Sequence, residues 1–172
     1  MKRISALSII AFCLFCNLSA QKATITSDTL KIFGVVENAI IYHSQFLDSF
    51  SSQTVSDQIL YNHKGEIKDT LKALKGVKLK DLLESVRFKY EKPKELNEFY
   101  FVLKAADGYK VVLSWNEIYN NEAGNHYFII TEMNGKKAKD IPQRILFLAD
   151  NDFRSSRRYI KGLNAIEIKR AN

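Results

Sequence analysis

Both cysteines of this 172-residue chain, Cys13 and Cys16, lie in its first sixteen positions, and none follows. Everything after them is without a disulfide and without a thiolate metal ligand. There are three histidines, His43, His63 and His126, and their separations match no short zinc motif. Glycine is scarce, at seven residues, and no glycine-rich strand-to-helix phosphate loop occurs, which excludes a dinucleotide or P-loop βαβ fold. No apolar run is long enough to span a bilayer, since Ile4 to Phe15 is closed off by Asn17 and Gln21-Lys22. The excess of basic residues, 26 against 19 acidic, forms no distributed stripe with interleaved aromatics, so a nucleic-acid partner is not expected.

What the chain has first is a basic N-terminus, Lys2-Arg3, then the short apolar stretch and the small residues Ser19-Ala20. That order describes a cleavable export signal over residues 1–20, and implies a periplasmic or secreted protein. A lipid-modified Cys16 is the alternative, disfavoured by the bulky Phe15 where such signals want a small side chain. Cleavage after Ala20 leaves 152 residues, enough for one domain, and removes Lys2 and Arg3, so the net charge falls from +7 to about +5. Residues 21–28 are polar and read as a flexible leader.

From position 29 the pattern is mostly β. Leu30 to Val36 reads as a strand, with Gly34 marking a bulge or a close backbone approach. A short helix is expected after Ser44, with Phe46, Leu47 and Phe50 on one face. Val55 to Tyr61 and Ile67 to Leu71 alternate around Asn62-His63-Lys64-Gly65 and predict two strands and a turn. The stripe Leu79, Leu82, Leu83, Val86 predicts an amphipathic helix over 76–86, and residues 89–98, with Pro93, a loop. Phe99 to Ala105 is the strongest strand signal, and its near-continuous apolar character predicts cover on both faces. It turns through Ala106-Asp107-Gly108 into Tyr109 to Leu113. Ser114-Trp115-Asn116-Glu117 fits a capping box opening a short helix that ends near Tyr119. Tyr127 to Met133 alternates up to an Asn134-Gly135 hairpin, and Ile145 to Ala149 and Ala165 to Ile168 complete the strands.

Chemistry is sparse. Ser114 is accounted for as a helix cap, and Asp107-Gly108 as a turn pair bordering any nearby cavity. Trp115 reads as a core or helix-entry packing anchor, with ligand stacking as the alternative, and His63 is the histidine set among polar neighbours. The apolar run Ile145 to Ala149 delivers Asp150 and Asp152, then Arg154, Arg157, Arg158 and Lys161, to one loop. Arginine forks and a lysine point charge are the donors that phosphate-like oxygens accept. One helical turn would also bring Arg157 and Lys161 together. A solvated loop in which the aspartates neutralise the arginines is the bland reading of the same residues.

Five segments in order, Leu30 to Val36, Gly76 to Leu83, Ala106 to Tyr109, Glu132 to Lys136 and Tyr159 to Ile168, resemble the oxidoreductase molybdopterin-binding domain of the sulfite oxidase superfamily. The resemblance runs across about 140 residues and implies a mixed, β-rich α+β domain over residues 29–170. It further implies a pterin whose dithiolene holds molybdenum, with a protein cysteine completing the metal's ligands. That cysteine's counterpart falls near Tyr61, Asn62 or His63, where no cysteine stands. The pterin-binding arginine and histidine segments also look missing.

The expectation is therefore an exported binding or accessory module without molybdenum catalysis, catalytic residues or metal ligands. No cofactor is expected, although the resemblance admits molybdopterin. The partner is an anionic small molecule or an envelope protein. Candidate ligand contacts are Asn62, His63, Asp107, Arg154, Arg157, Arg158 and Lys161. The alternative is a molybdopterin-dependent oxidoreductase or a subunit of a redox complex.

Overall fold

The computed structural model describes residues 26–171, so the expected export signal lies outside the described residues. The strands are β1 (Thr29–Gly34), β2 (Ile40–His43), β3 (Gln53–Val55), β4 (Gln58–Tyr61), β5 (Ile67–Leu71), β6 (Leu74–Lys78), β7 (Phe99–Ala105) and β8 (Lys110–Ser114). They continue as β9 (Tyr127–Met133), β10 (Lys136–Lys137), β11 (Leu146–Ala149), β12 (Ile160–Lys161) and β13 (Leu163–Arg170). Among the described residues helix is confined to α1 (Leu79–Leu82), α2 (Trp115–Tyr119) and a few 3-10 turns. This is the expected mixed, β-rich α+β domain. Among the described residues no helix is long and apolar enough to cross a membrane.

The described residues form three sheets. One runs β2-β1-β13-β7-β8; a second runs β12-β11-β9-β6-β3 with β10 on β9; β4 and β5 form a hairpin by themselves. The main core contains Leu30 and Ile32 of β1, Phe101 and Leu103 of β7 and Ile166 and Ile168 of β13, together with Ile129 of β9 and Phe147 of β11. A second cluster contains Phe128 and Ile130 of β9 and Leu146 and Leu148 of β11, with Leu60 and Leu71 from the β4–β5 hairpin. Alternate side chains of β9 and β11 thus enter different cores. That is why Tyr127 to Thr131 and Leu146 to Ala149 are buried without a break.

Several elements depart from the sequence reading. The stretch expected to alternate as a half-buried strand, β9, is the one covered on both faces, whereas β7 alternates strictly between buried and half-buried residues. Its apolar outward residues, Tyr100 and Val102, mask the alternation in sequence. The helix expected over 76–86 is one turn long, because Leu74–Lys78 pairs with both β3 and β9. Its stripe Leu79, Leu82, Leu83 and Val86 is nonetheless buried. Val55 to Tyr61 is two strands in two different sheets, divided at Ser56-Asp57. The element after Ser44 is a 3-10 turn in which Leu47 is buried while Phe46 is exposed and stacks on Tyr42. Of the expected leader, residues 26–28 are tied down: Ser27 bridges to Arg144, and Asp28 accepts from Ser44 and Arg144.

Other signals translate directly. Gly34, at φ +115°, sits where an added Cβ would stand 2.0 Å from the Ile168 carbonyl oxygen, and that carbonyl accepts from the Val35 amide at 2.9 Å. The close approach joins β1 to β13 in parallel. Both halves of the capping box form: the Glu117 amide donates to Ser114 Oγ at 3.1 Å and the Ser114 amide to Glu117 Oε2 at 2.7 Å. Asn134 and Gly135, both at positive φ, join β9 to β10.

Candidate functional site

An open cleft of about 970 Å³ lies between the β4–β5 hairpin, the β7–β8 hairpin and the segment 154–161. That is within the size range of small-molecule sites. From the first hairpin come Tyr61, Asn62, His63, Lys68 and Asp69; from the second, Asp107 and Tyr109. Arg154, Ser156, Arg157, Tyr159 and Lys161 form the third wall, and Gln143 adds an amide.

Local sequence sets each wall. In the first turn Asn62 Oδ1 accepts from the Lys64 and Glu66 amides at 2.9 and 3.0 Å, and Nδ2 donates to Glu66 Oε2 at 2.7 Å. Gly65 takes the positive φ that closes the turn. Asn62 therefore builds the wall with its own polar atoms. In the second turn Asp107 Oδ1 accepts from the Tyr109 amide at 3.0 Å, the Asx turn expected of an Asp-Gly pair. The third wall is fixed to the other two: Ser155 Oγ donates to the Ile59 carbonyl at 3.1 Å, and the Tyr109 hydroxyl donates to the Arg157 carbonyl at 2.6 Å.

Of the seven residues singled out from sequence, Asn62, His63, Asp107, Arg154, Arg157 and Lys161 line this one cleft. Arg158 does not. Its Nε and Nη2 fork onto the two Asp152 carboxylate oxygens, and Nη1 donates to the Tyr127 hydroxyl at 2.8 Å and reaches Glu117 Oε1 at 3.4 Å. Its guanidinium also lies 5.0 Å from the centre of the Tyr127 ring. The Asp152 hydrogen bonds, first among several causes, hold this guanidinium's pKa above its ordinary value. The expected neutralisation of the arginines by aspartate thus occurs at Arg158. Asp150 turns instead to His126, at 2.7 Å. Lys161 reaches the cleft from β12, not from one helical turn shared with Arg157, because the 3-10 turn Ser155–Arg158 stops first.

The cleft is cationic. Lys68, Arg154, Arg157 and Lys161 have no ion pair or side-chain hydrogen bond among the described residues, and they face two carboxylates, Asp69 and Asp107. Unpaired cations converging in a concave site concentrate positive potential there. Tyr159 packs against the second core cluster, and burial pushes its phenol up to about 12, with the nearby Asp69 charge adding to the effect. It stays protonated at neutral pH. Sequence reasoning missed Lys68, Asp69, Tyr109, Gln143 and Ser156 as cleft residues. For Lys68 and Asp69 a signal existed: they stand on an alternating strand directly after the turn that carries Asn62 and His63.

The two packed sheets, the lone hairpin and the closing β12–β13 segment make up a mixed, β-rich α+β fold that resembles a solved structure. A similar fold is found in the crystal structure of the sulfane dehydrogenase SoxCD from Paracoccus pantotrophus. It matches with a TM-score of 0.58 at 13% sequence identity, over 81% of this chain and 37% of that one. The likeness is one of fold, and this chain spans little more than a third of its neighbour's length. No protein-family model matches the sequence, and no curated protein matches it.

Proposed function

We propose that this protein is an exported binding or accessory module built on a sulfite oxidase-like fold, and that it holds an anionic small molecule in the cleft between its two hairpins and segment 154–161. One observation carries the reading: four cations without an ion pair or side-chain hydrogen bond among the described residues, Lys68, Arg154, Arg157 and Lys161, converge on one cleft, Lys161 lying 5.5 Å from the centre of the Tyr159 ring. Burying such charges against protein carboxylates would neutralise them, as happens at Arg158; here the donors are left facing solvent.

Molybdopterin is the ligand that the fold class brings to mind, and the residues do not fit it. The turn where the superfamily's cysteine would stand is Tyr61-Asn62-His63-Lys64, and the chain has no cysteine after Cys16. Asn62 is spent on its own turn, and an imidazole is a harder, neutral donor than a thiolate. No group of three or more His, Cys, Asp or Glu side chains capable of holding a metal occurs among the described residues.

Calorimetric titration with inorganic phosphate tests the reading. Replacing Arg154 and Arg157 together by alanine is expected to weaken binding at least about tenfold, the loss of two charged donors, and raised salt to weaken it in the parent protein. Unchanged affinity in the double variant removes the proposed site. Stoichiometric molybdenum in protein purified from its native cells would overturn the non-catalytic reading.

A further inference from the structure

Among the described residues the most exposed large apolar side chain is Phe153, fully open to solvent. It lies at the tip of the loop between β11 and segment 154–161, next in sequence to Arg154. The loop is clamped on both sides of it. Before it, the Asp150 amide donates to the His126 carbonyl at 3.0 Å and Asp152 is gripped by Arg158. After it, Ser155 is bonded to Ile59. The ring is therefore held out by a braced loop. Other apolar surface accompanies the cleft: Tyr109, in its wall, is 43% exposed, and Ile67, opposite Tyr61 in the hairpin ladder, is 67% exposed.

We infer that the anion this cleft meets is carried on a membrane, and that Phe153 with Arg154, Arg157, Lys161 and Lys68 forms a peripheral docking surface for an anionic phospholipid layer. The inference rests on the cationic-cleft reading above and adds the source of the anion. The charges are complementary, since unpaired lysines and arginines face a layer of phosphates, and each basic side chain near such a surface adds to attraction. A protruding ring beside cations is the arrangement that enters the headgroup and acyl boundary, whereas a protein hot spot sits at the centre of a packed, water-excluding patch. Phe153 is flanked in sequence by polar or charged residues, Asn151 and Asp152 before it and Arg154 and Ser155 after it, and the depression beside it is lined by Arg154, Arg157 and Arg158.

Protein recovered from its native cells, wild type and F153S, is sedimented with vesicles of phosphatidylcholine alone and of phosphatidylcholine mixed with phosphatidylglycerol. The same samples are titrated with inorganic phosphate. Both proteins carry the same N-terminus, so their difference reports the loop. Wild type is expected to sediment with the mixed vesicles only. F153S should partition about tenfold more weakly, the loss of one apolar side chain from the interface, with phosphate affinity unchanged. Phosphate binding without binding to mixed vesicles overturns the membrane source and leaves the cleft reading standing; an acidic protein partner would give this result. Equal vesicle binding by F153S removes the docking role of the loop. Binding to neither phosphate nor vesicles removes both readings.

Discussion

Arg157 and Arg158 are adjacent in sequence and end in different surroundings. Arg157 opens into the cleft with its carbonyl held by Tyr109, while every guanidinium nitrogen of Arg158 is engaged by Asp152, Tyr127 or Glu117. Replacing Arg158 by methionine leaves Asp152 half-buried without its donor. It should cost about 2 kcal/mol of stability, as loss of charge-assisted hydrogen bonds does, read as a lower denaturant midpoint. Phosphate affinity should not move. The sequence could not separate the two arginines, because Asp152 stands on the same loop as both, while the groups that complete the set around Arg158, Tyr127 and Glu117, come from two other segments. Tyr159 makes a second residue-scale prediction. Its folded pKa is raised to about 12 from the ordinary 10, so its contribution is fully present below pH 10 and is lost as pH rises towards 12, where the unfolded phenol ionises and the buried one does not. Stability should fall over that window and fall less in Y159F. Part of the slope remains in Y159F, since burial also pushes Tyr119 upward.

At the scale of elements, the joint between β1 and β13 depends on one missing side chain. Alanine at position 34 would place its Cβ within 2.0 Å of the Ile168 carbonyl oxygen on a backbone at φ +115°. The expected cost is about 3 kcal/mol or more, since the strand pairing itself must shift, measurable by chemical denaturation. This joint was legible in sequence as a glycine inside an apolar strand, and so were the capping box and the hairpin turns, because turn and cap chemistry is local. Helix against strand in Leu74 to Val86 was not. Leu79, Leu82, Leu83 and Val86 keep helical spacing and are buried as a helix would bury them, yet the preceding Leu74–Lys78 is claimed by pairing with β3 and β9, a non-local interaction that periodicity does not report. The cationic side of the site was legible because Arg154, Arg157 and Lys161 are close in sequence. Lys68 stands just past the turn that carries Asn62 and His63, but that its hairpin and the one carrying Tyr109 meet the arginines is seen only in the folded chain.

For the whole molecule, the two cores share β9 and β11, so both should melt together and their amides should exchange slowest with solvent. The β4–β5 hairpin has its own two-stranded ladder and contributes Leu60 and Leu71 to the second core. Its amides are expected to exchange faster than those of β9, and to slow when phosphate occupies the cleft, in hydrogen-exchange mass spectrometry. Equal protection in β4 and β9 without ligand would contradict that order. Because this wall shares no backbone ladder with either large sheet, its tip at 62–66 can be lengthened, shortened or labelled without shifting any strand register elsewhere. The mouth of the cleft is thus the part of the molecule most open to redesign, and a fluorophore placed there would report occupancy from a position the rest of the fold does not constrain.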